Sequence, residues 1–497
     1  MKRQRIGLGV LLAGVLVAAA CSDPPTSGSG DGVEAGGDGD DGGEAALPEC
    51  PLEALDEADG PVEVTLWYGG IGGETKATME SMVANFNESQ DQVRVTASDQ
   101  GASYAEVFRK FESAASADPG QLPDVVLLES TQLQVLADGG LILPAEACME
   151  ASDYSITDIE PAVRSAWSVD GVLYPGYANV NTPVLYYNKA HWARAGLDPE
   201  DPPETLDELQ EQAQAIKEAG VADKPLSFKI SHNVFTNWLA GEGVDVVDNG
   251  NGQDGPATAA TFDTPEAQEI LRQLEQMNDE GLLNVFAETE GGFDHYLALA
   301  TQDSSMLIET SGAAVNIAEF LGGELTAEEL AQDVDVDVDE SLVDEDELRP
   351  GTAPFPGITS SGQVFPSGGG FFIANTGPPA EQAGGWRFLE FMLQPANAEA
   401  WHRQGSYLPI VKSVQDEPDI ETFWADEVAG VLIRPAVDQL GDADPDEPGP
   451  LIGPYPDFVA ELQTAIESVL LGGADVESAL ASAQDEVTAS LERYSRE

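Results

Sequence analysis

Apolar and polar positions alternate at Val62, Val64 and Leu66, and again at Val93, Val95 and Ala97, the period of a half-covered strand. Between them Met79, Met82, Val83 and Phe86 recur at helical spacing; Tyr104, Val107, Phe108 and Phe111 repeat that spacing after the second strand. Val125-Val126-Leu127-Leu128 is apolar throughout, as a strand covered on both faces requires. Strand, helix, strand, helix, strand in that order predicts a parallel sheet with right-handed crossovers. Ligands of such sheets bind beyond the carboxyl ends of the strands.

A second α/β series starts near Tyr174. Its first strand is expected at 182–187, and Thr205 with Glu208 has the spacing of a capping box, with Gly220 placed to stop that helix. Thr264-Pro265 opens another helix, with Ile270, Leu271, Leu274 and Met277 on one face. Apolar runs at 306–308 and 371–373 read as strands, the second directly after Gly368-Gly369-Gly370. Two amphipathic helices, around 458–471 and 476–494, close the chain.

Composition narrows the function. With 497 residues, 42% of them hydrophobic, the chain can bury the core of two large lobes. Lys and Arg number 21 against 90 Asp and Glu, a formal net charge of −69. That surface will not grip nucleic acid, whose phosphates need cations, nor lie on anionic lipid. Three cysteines exclude a disulfide-dense scaffold and most zinc-finger architectures. In the acidic stretch 324–348, Asp333, Asp335, Asp337 and Asp339 alternate, but Val338 stands where a calcium loop needs glycine, so a solvated insertion is expected. No Gly-x-Ser-x-Gly elbow and no His-Glu-x-x-His pair is present. Of His191, His232, His295 and His402, three read as helical and open to solvent. No metal or other cofactor is expected.

The leading residues read as an export signal over 1–20: Lys2, Arg3 and Arg5, then an apolar run from Ile6 to Ala20, shorter than the roughly 20 residues of a membrane span. Ala18-Ala19-Ala20-Cys21 resembles a bacterial lipoprotein processing site. The resemblance implies lipid on Cys21 and a place on the outer face of the cell membrane; ordinary secretion or a retained anchor is the alternative. Residues 21–59, rich in Gly, Asp, Glu and Ser, read as a flexible tether. Cys50 and Cys148 then remain, and outside the cytoplasm they are expected to pair, two unbonded thiols being the alternative.

Longer stretches carry a family likeness: Asn181–Lys189 (NTPVLYYNK), Ala195–Pro199 (AGLDP), Pro202–Thr205 (PPET), Phe388–Phe391 (FLEF), Tyr407–Ile410 (YLPI), and Thr310–Gly312 followed by Asn316. In order and content they resemble the extracellular solute-binding proteins of bacterial ABC importers, of the maltodextrin-binding type, and within it the glycerol-3-phosphate-binding members. The resemblance implies an α/β, two-lobed periplasmic-binding-protein fold of type II. The hinge is expected to have several chain crossings, near 174–182, 309–312 and 364–370. Lobe 1 is expected from 60–178 and about 309–366, lobe 2 from 179–308 and about 367–497. It also implies a monomer that is not an enzyme, hands a small polar solute to permease subunits, and holds it with Tyr104, Glu129, Asn181, Ser311, Gly369 and Tyr407.

Two departures bear on the solute. Gly449–Val459, where the glycerol-phosphate members carry a phosphate-pairing arginine, holds no basic residue. Lys229–His232, where they carry a stacking tryptophan, has none, and Trp238 follows only later. Lys229 or His232 is left as a source of local positive charge. The expected ligand is therefore a sugar, an oligosaccharide or a glycerophosphodiester. Alternatives are glycerol-3-phosphate on the same scaffold, a surface adhesin or sensor subunit, or a secreted glycoside hydrolase using paired carboxylates.

Overall fold

A computed structural model describes residues 47–287, 294–321 and 349–496. The export segment, Cys21, the tether up to residue 46 and the insertion 324–348 lie outside the described residues. In chain order the strands of the two sheets are β1 (Val62–Tyr68), β2 (Val93–Asp99), β3 (Val125–Glu129), β4 (Ile142–Leu143), β5 (Tyr177–Asn181), β6 (Pro183–Asn188), β7 (Leu226–Lys229), β8 (Leu283–Phe286), β9 (Met306–Thr310), β10 (Pro350–Pro354) and β11 (Ser367–Ala374). The helices used below are α1 (Gly73–Ser89), α2 (Tyr104–Ala117), α3 (Leu206–Glu218), α4 (His232–Gly241), α5 (Pro265–Asp279), α6 (Pro379–Met392), α7 (Pro395–Gly405), α8 (Val428–Asp442), α9 (Tyr455–Leu470) and α10 (Val476–Tyr494).

The first sheet runs β2-β1-β3-β11-β4, with β5 also paired to β11. β1 is parallel to β2 and β3, as the strand-helix-strand order predicts, whereas β11 is antiparallel to β3, β4 and β5. Val125–Leu128 and Phe371–Ile373 are all buried. Each such side chain contributes about 1.5–3 kcal/mol of burial. The second sheet runs β8-β7-β9-β6-β10, parallel from β8 to β9 and antiparallel through β6 and β10. Thr205 caps α3 through the Glu208 amide, and Gly220 takes the left-handed conformation just past its end.

This pairing overturns the expected partition of the lobes. β10, expected in the first lobe, belongs to the second sheet, as do the last two residues of β9; β11, expected in the second, fills the first sheet between β3 and β5. The physical reason is coverage: β6 is buried along its whole length and needs a partner on each edge, which β9 and β10 supply. The second lobe also starts later than expected, because β5 pairs with β11 and the chain leaves the first sheet only at Thr182. Trp386, Trp401 and the buried face of α8 belong to the first core, and the second core resumes at Ile452 and takes in α9 and α10.

The expected tether ends earlier than residue 59. Leu55 is buried, Leu47, Leu52 and Ala58 pack against the first core, and Cys50 is bonded to Cys148, 98 residues on. Closing a loop of that length limits the unfolded chain and stabilises the fold by on the order of 4–5 kcal/mol in the chain-entropy account. Among the described residues no helix is long and apolar enough to cross a membrane.

Candidate functional site

The segments that pass between the sheets are held to each other at the hinge. The Ser311 amide donates to the Thr182 carbonyl at 2.8 Å, and the Thr182 amide donates to Ser311 Oγ at 3.3 Å. Gln439 of α8 donates to Thr182 Oγ1 at 2.9 Å and to the Pro183 carbonyl at 3.0 Å, and its Oε1 accepts the Phe355 amide at 2.9 Å. These crossings are β5–β6, the end of β9, and the approach to β11. Beside them lies a cleft of about 360 Å³ whose lining comes from both lobes. It sits at the carboxyl ends of β3, β7 and β9, where an α/β sheet presents its ligand site.

The first-lobe wall includes Tyr104, Glu129, Thr131 and, from the hinge, Asn181 and Ser367. Ser103 caps α2 and so delivers Tyr104 at its first position. The Tyr104 hydroxyl is 3.2 Å from that of Tyr407, whose ring stacks on Trp401. Burial, then the Tyr407 phenol, push Tyr104 well above the usual tyrosine range, so it is a neutral phenol. Glu129 ends β3 and forms a capping box with Gln132: its carboxylate accepts the Gln132 amide, and Gln132 Oε1 accepts the Glu129 amide at 2.8 Å. Thr131 donates to the same carboxylate at 3.1 Å. Glu129 thus has a local structural task, which the sequence reading did not anticipate, alongside its place in the cleft. Asn181 Oδ1 accepts from Ser367 Oγ at 3.2 Å, and Asn233 donates to that hydroxyl at 3.0 Å.

The second-lobe wall includes Lys229, Ser231, His232, Glu309 and Tyr455. Lys229 ends β7 and Glu309 lies near the end of the neighbouring parallel strand β9, which puts Lys229 Nζ 3.2 Å from Glu309 Oε2. His295 Nε2 lies 2.8 Å from the same oxygen, and the Thr310 amide donates to Glu309 Oε1 at 2.8 Å. Burial alone would raise the Glu309 carboxyl, but Lys229, His295 and the Thr310 amide outweigh it and hold it well below the usual range. His232 is pushed down to about 4 by burial and then by Lys229, so it is neutral at neutral pH, and its buried Nδ1 has no hydrogen-bond partner.

Three expected ligand contacts stand behind the cleft rather than on it. Ser311 is fully buried as a hinge fastener. Tyr407 supports Tyr104 from behind. Gly369 lies opposite Glu129 in the sheet, and a Cβ there would stand 2.9 Å from the Tyr104 hydroxyl, so its smallness admits that ring. Gly368, which lines the cleft, has φ +130 and no room for a side chain beside the Asn179 carbonyl. Tyr104, Glu129, Asn181 and His232 do line the cleft; Glu309, Tyr455 and Ser367 were not singled out as contacts.

Expectations about the other imidazoles are corrected. His191, His295 and His402 are buried and bonded rather than open to solvent. His402 accepts from Trp424 Nε1 at 2.9 Å, which leaves Nδ1 to donate to the Tyr407 carbonyl at 2.7 Å. Trp238 is a core residue, stacked on Phe228 and donating to the Pro356 carbonyl. The proline-rich stretch reaches the cleft with Pro450, Leu451, Tyr455 and Val459.

Comparison with known proteins places the chain. Residues 81–428 match the family model described as bacterial extracellular solute-binding protein. The chain is 24% identical over 381 residues to the sn-glycerol-3-phosphate-binding periplasmic protein UgpB of Shigella dysenteriae serotype 1, covering 75% of this chain and 80% of that one. In structure it is similar to UgpB from Mycobacterium tuberculosis in complex with glycerophosphocholine, with TM-score 0.69 and 21% identity over 88% of this chain and 100% of that one. It is likewise similar to the cyclic alpha-maltosyl-1,6-maltose binding protein from Arthrobacter globiformis, with TM-score 0.66 and 24% identity over 87% and 100%. These likenesses agree with a type II, two-lobed α/β binding-protein fold.

Proposed function

Since this chain belongs to the bacterial extracellular solute-binding proteins, we propose that it captures a sugar, an oligosaccharide or a glycerophosphodiester and delivers it to the permease of an ABC importer. The observation that carries this reading is the composition of the cleft. About 360 Å³ is lined by two phenols, carboxylates, amides, hydroxyls and a single ammonium, the groups that bond neighbouring hydroxyls. No arginine or tryptophan is among the lining residues, so neither a bidentate phosphate clamp nor a broad stacking platform is offered. Named ligands of the relatives, glycerophosphocholine and maltosyl sugars, fall in the same chemical range.

Capture works by differential affinity: a ligand that touches both walls at once favours the closed lobes, and the permease distinguishes that shape. The chain acts as a monomer, breaks no bond in its ligand, and is held at the outer face of the membrane by lipid on Cys21. Calorimetry on the processed protein with a panel of maltodextrins and glycerophosphodiesters should give micromolar or tighter binding of one solute, unchanged after incubation. Hydrolysis of that solute, or no heat from any panel member, would overturn the reading. For the anchor, Cys21→Ser should release the protein from the cell surface into the medium; unchanged retention would count against lipidation.

A further inference from the structure

We infer that the Lys229–Glu309 ion pair sets the charge class of the solute: it lends donors to an uncharged or internally neutral ligand and withholds the net positive charge that a phosphomonoester dianion needs. The inference deepens the solute-binding reading above and rests on it. The two side chains end neighbouring parallel strands and face the cleft together, 3.2 Å apart. Glu309 is the more buried partner, its side chain 7% exposed against 23% for Lys229, so the ammonium is the end that a ligand reaches. Glu309 does not depend on Lys229 alone, because His295 and the Thr310 amide hold it from the far side. A ligand phosphate that meets the ammonium therefore also meets the Glu309 carboxylate, which those two partners keep in place.

The rest of the lining gives no compensation. Glu129 is the other carboxyl residue of the cleft, Lys229 is its one Lys or Arg among the described residues, and His232 is neutral. Two carboxyl residues against one ammonium oppose a dianion at short range, where salt screens weakly. A hydroxyl, or the single charge of a phosphodiester balanced within the same molecule, meets no such opposition. Replacing Glu309 by Gln keeps the side chain's size and its acceptor for the Thr310 amide, and takes one negative charge away from beside the ammonium.

Calorimetry on the processed protein with glycerol-3-phosphate and with inorganic phosphate tests this directly. Glu309→Gln should bind glycerol-3-phosphate about 10- to 100-fold more tightly than wild type, the worth of one charge-assisted contact. A variant that melts cooperatively yet changes by less than about threefold overturns the inference. Glu309→Asn takes its place should Glu309→Gln not melt cooperatively. Wild-type protein that binds glycerol-3-phosphate as tightly as its best neutral or zwitterionic ligand also overturns it. Failure of every sugar and diester to bind wild type at about 1 mM sinks the functional reading instead; the gain of phosphate affinity in Glu309→Gln is read without them.

Discussion

The two walls of the cleft are built on different plans. On the first lobe each polar group is backed by a neutral neighbour: Tyr104 by Tyr407 on Trp401, Glu129 by its capping box, Asn181 by Ser367. On the second lobe the polarity comes from charge held in balance, Lys229 against Glu309 with His295 behind, beside a neutral His232. The first wall offers fixed dipoles to whatever hydroxyls arrive. On the inference above the second discriminates by charge, because altering one of its members changes the net charge of the wall. On that inference recognition and selectivity fall to separate lobes.

The largest test of that contrast is Glu309→Ala. It removes the carboxylate that Lys229 and His295 share and should cost about 3–5 kcal/mol of unfolding free energy by denaturant titration; a loss below about 1 kcal/mol would mean that the second wall is not organised by charge. Glu129→Ala on the opposite wall should weaken solute binding by about tenfold or more in calorimetry. Its stability should fall by only about 1 kcal/mol, the worth of a lost cap. The reverse outcome, unchanged affinity with a large drop in melting temperature, would make Glu129 a structural residue alone.

Acid sharpens the contrast further. His232 is depressed in the fold, so the unfolded chain takes up its proton first and stability falls as pH drops from 6.5 through about 4. His402 shares the shift in the first lobe but lies outside the cleft. His232→Asn should therefore remove only part of the acid loss, about 2–3 kcal/mol at pH 4–5, in thermal melts across pH. Tyr104, raised by burial, should add nothing in that window. The smallest effect is expected at Tyr494, whose hydroxyl donates to Asp138 across the lobes at 2.6 Å. Tyr494→Phe should change solute affinity by about two- to fivefold while the melting temperature holds, because the contact biases how the two lobes sit.

Much of the first lobe was legible before its structure. Period-two and period-3.6 spacing marked β1, α1, β2, α2 and β3 to within a few residues, because each packs one face on a single core. β11 misled, since Phe371–Ile373 is apolar on both faces and such a run does not say which sheet it enters. The triple glycine before it was visible, yet its reason is tertiary: room for Tyr104 at Gly369 and the backbone turn at Gly368. Tyr104, Glu129, Asn181 and His232 were named for the cleft, and the first three followed the family likeness. The Glu309 partner of Lys229 was missed because the two are 80 positions apart in the chain, and only strand register makes them neighbours. Ser311 and Tyr407 were placed one layer too far forward; a motif shows which residues accompany a site, and packing decides which of them touch it.

The bond between Cys50 and Cys148 also decides how the molecule bears tension. β1, β2, β3 and β4 all lie inside the covalent ring that it closes. A pull arriving from the leading end passes from residue 50 straight to residue 148, and the strands between carry none of it. Stretched from its two ends, the oxidised chain should fall short of its full contour by the 98 residues of that ring, about 330 Å at full extension. A reducing bath returns that length, and with it the exposure of the first sheet to being peeled strand by strand.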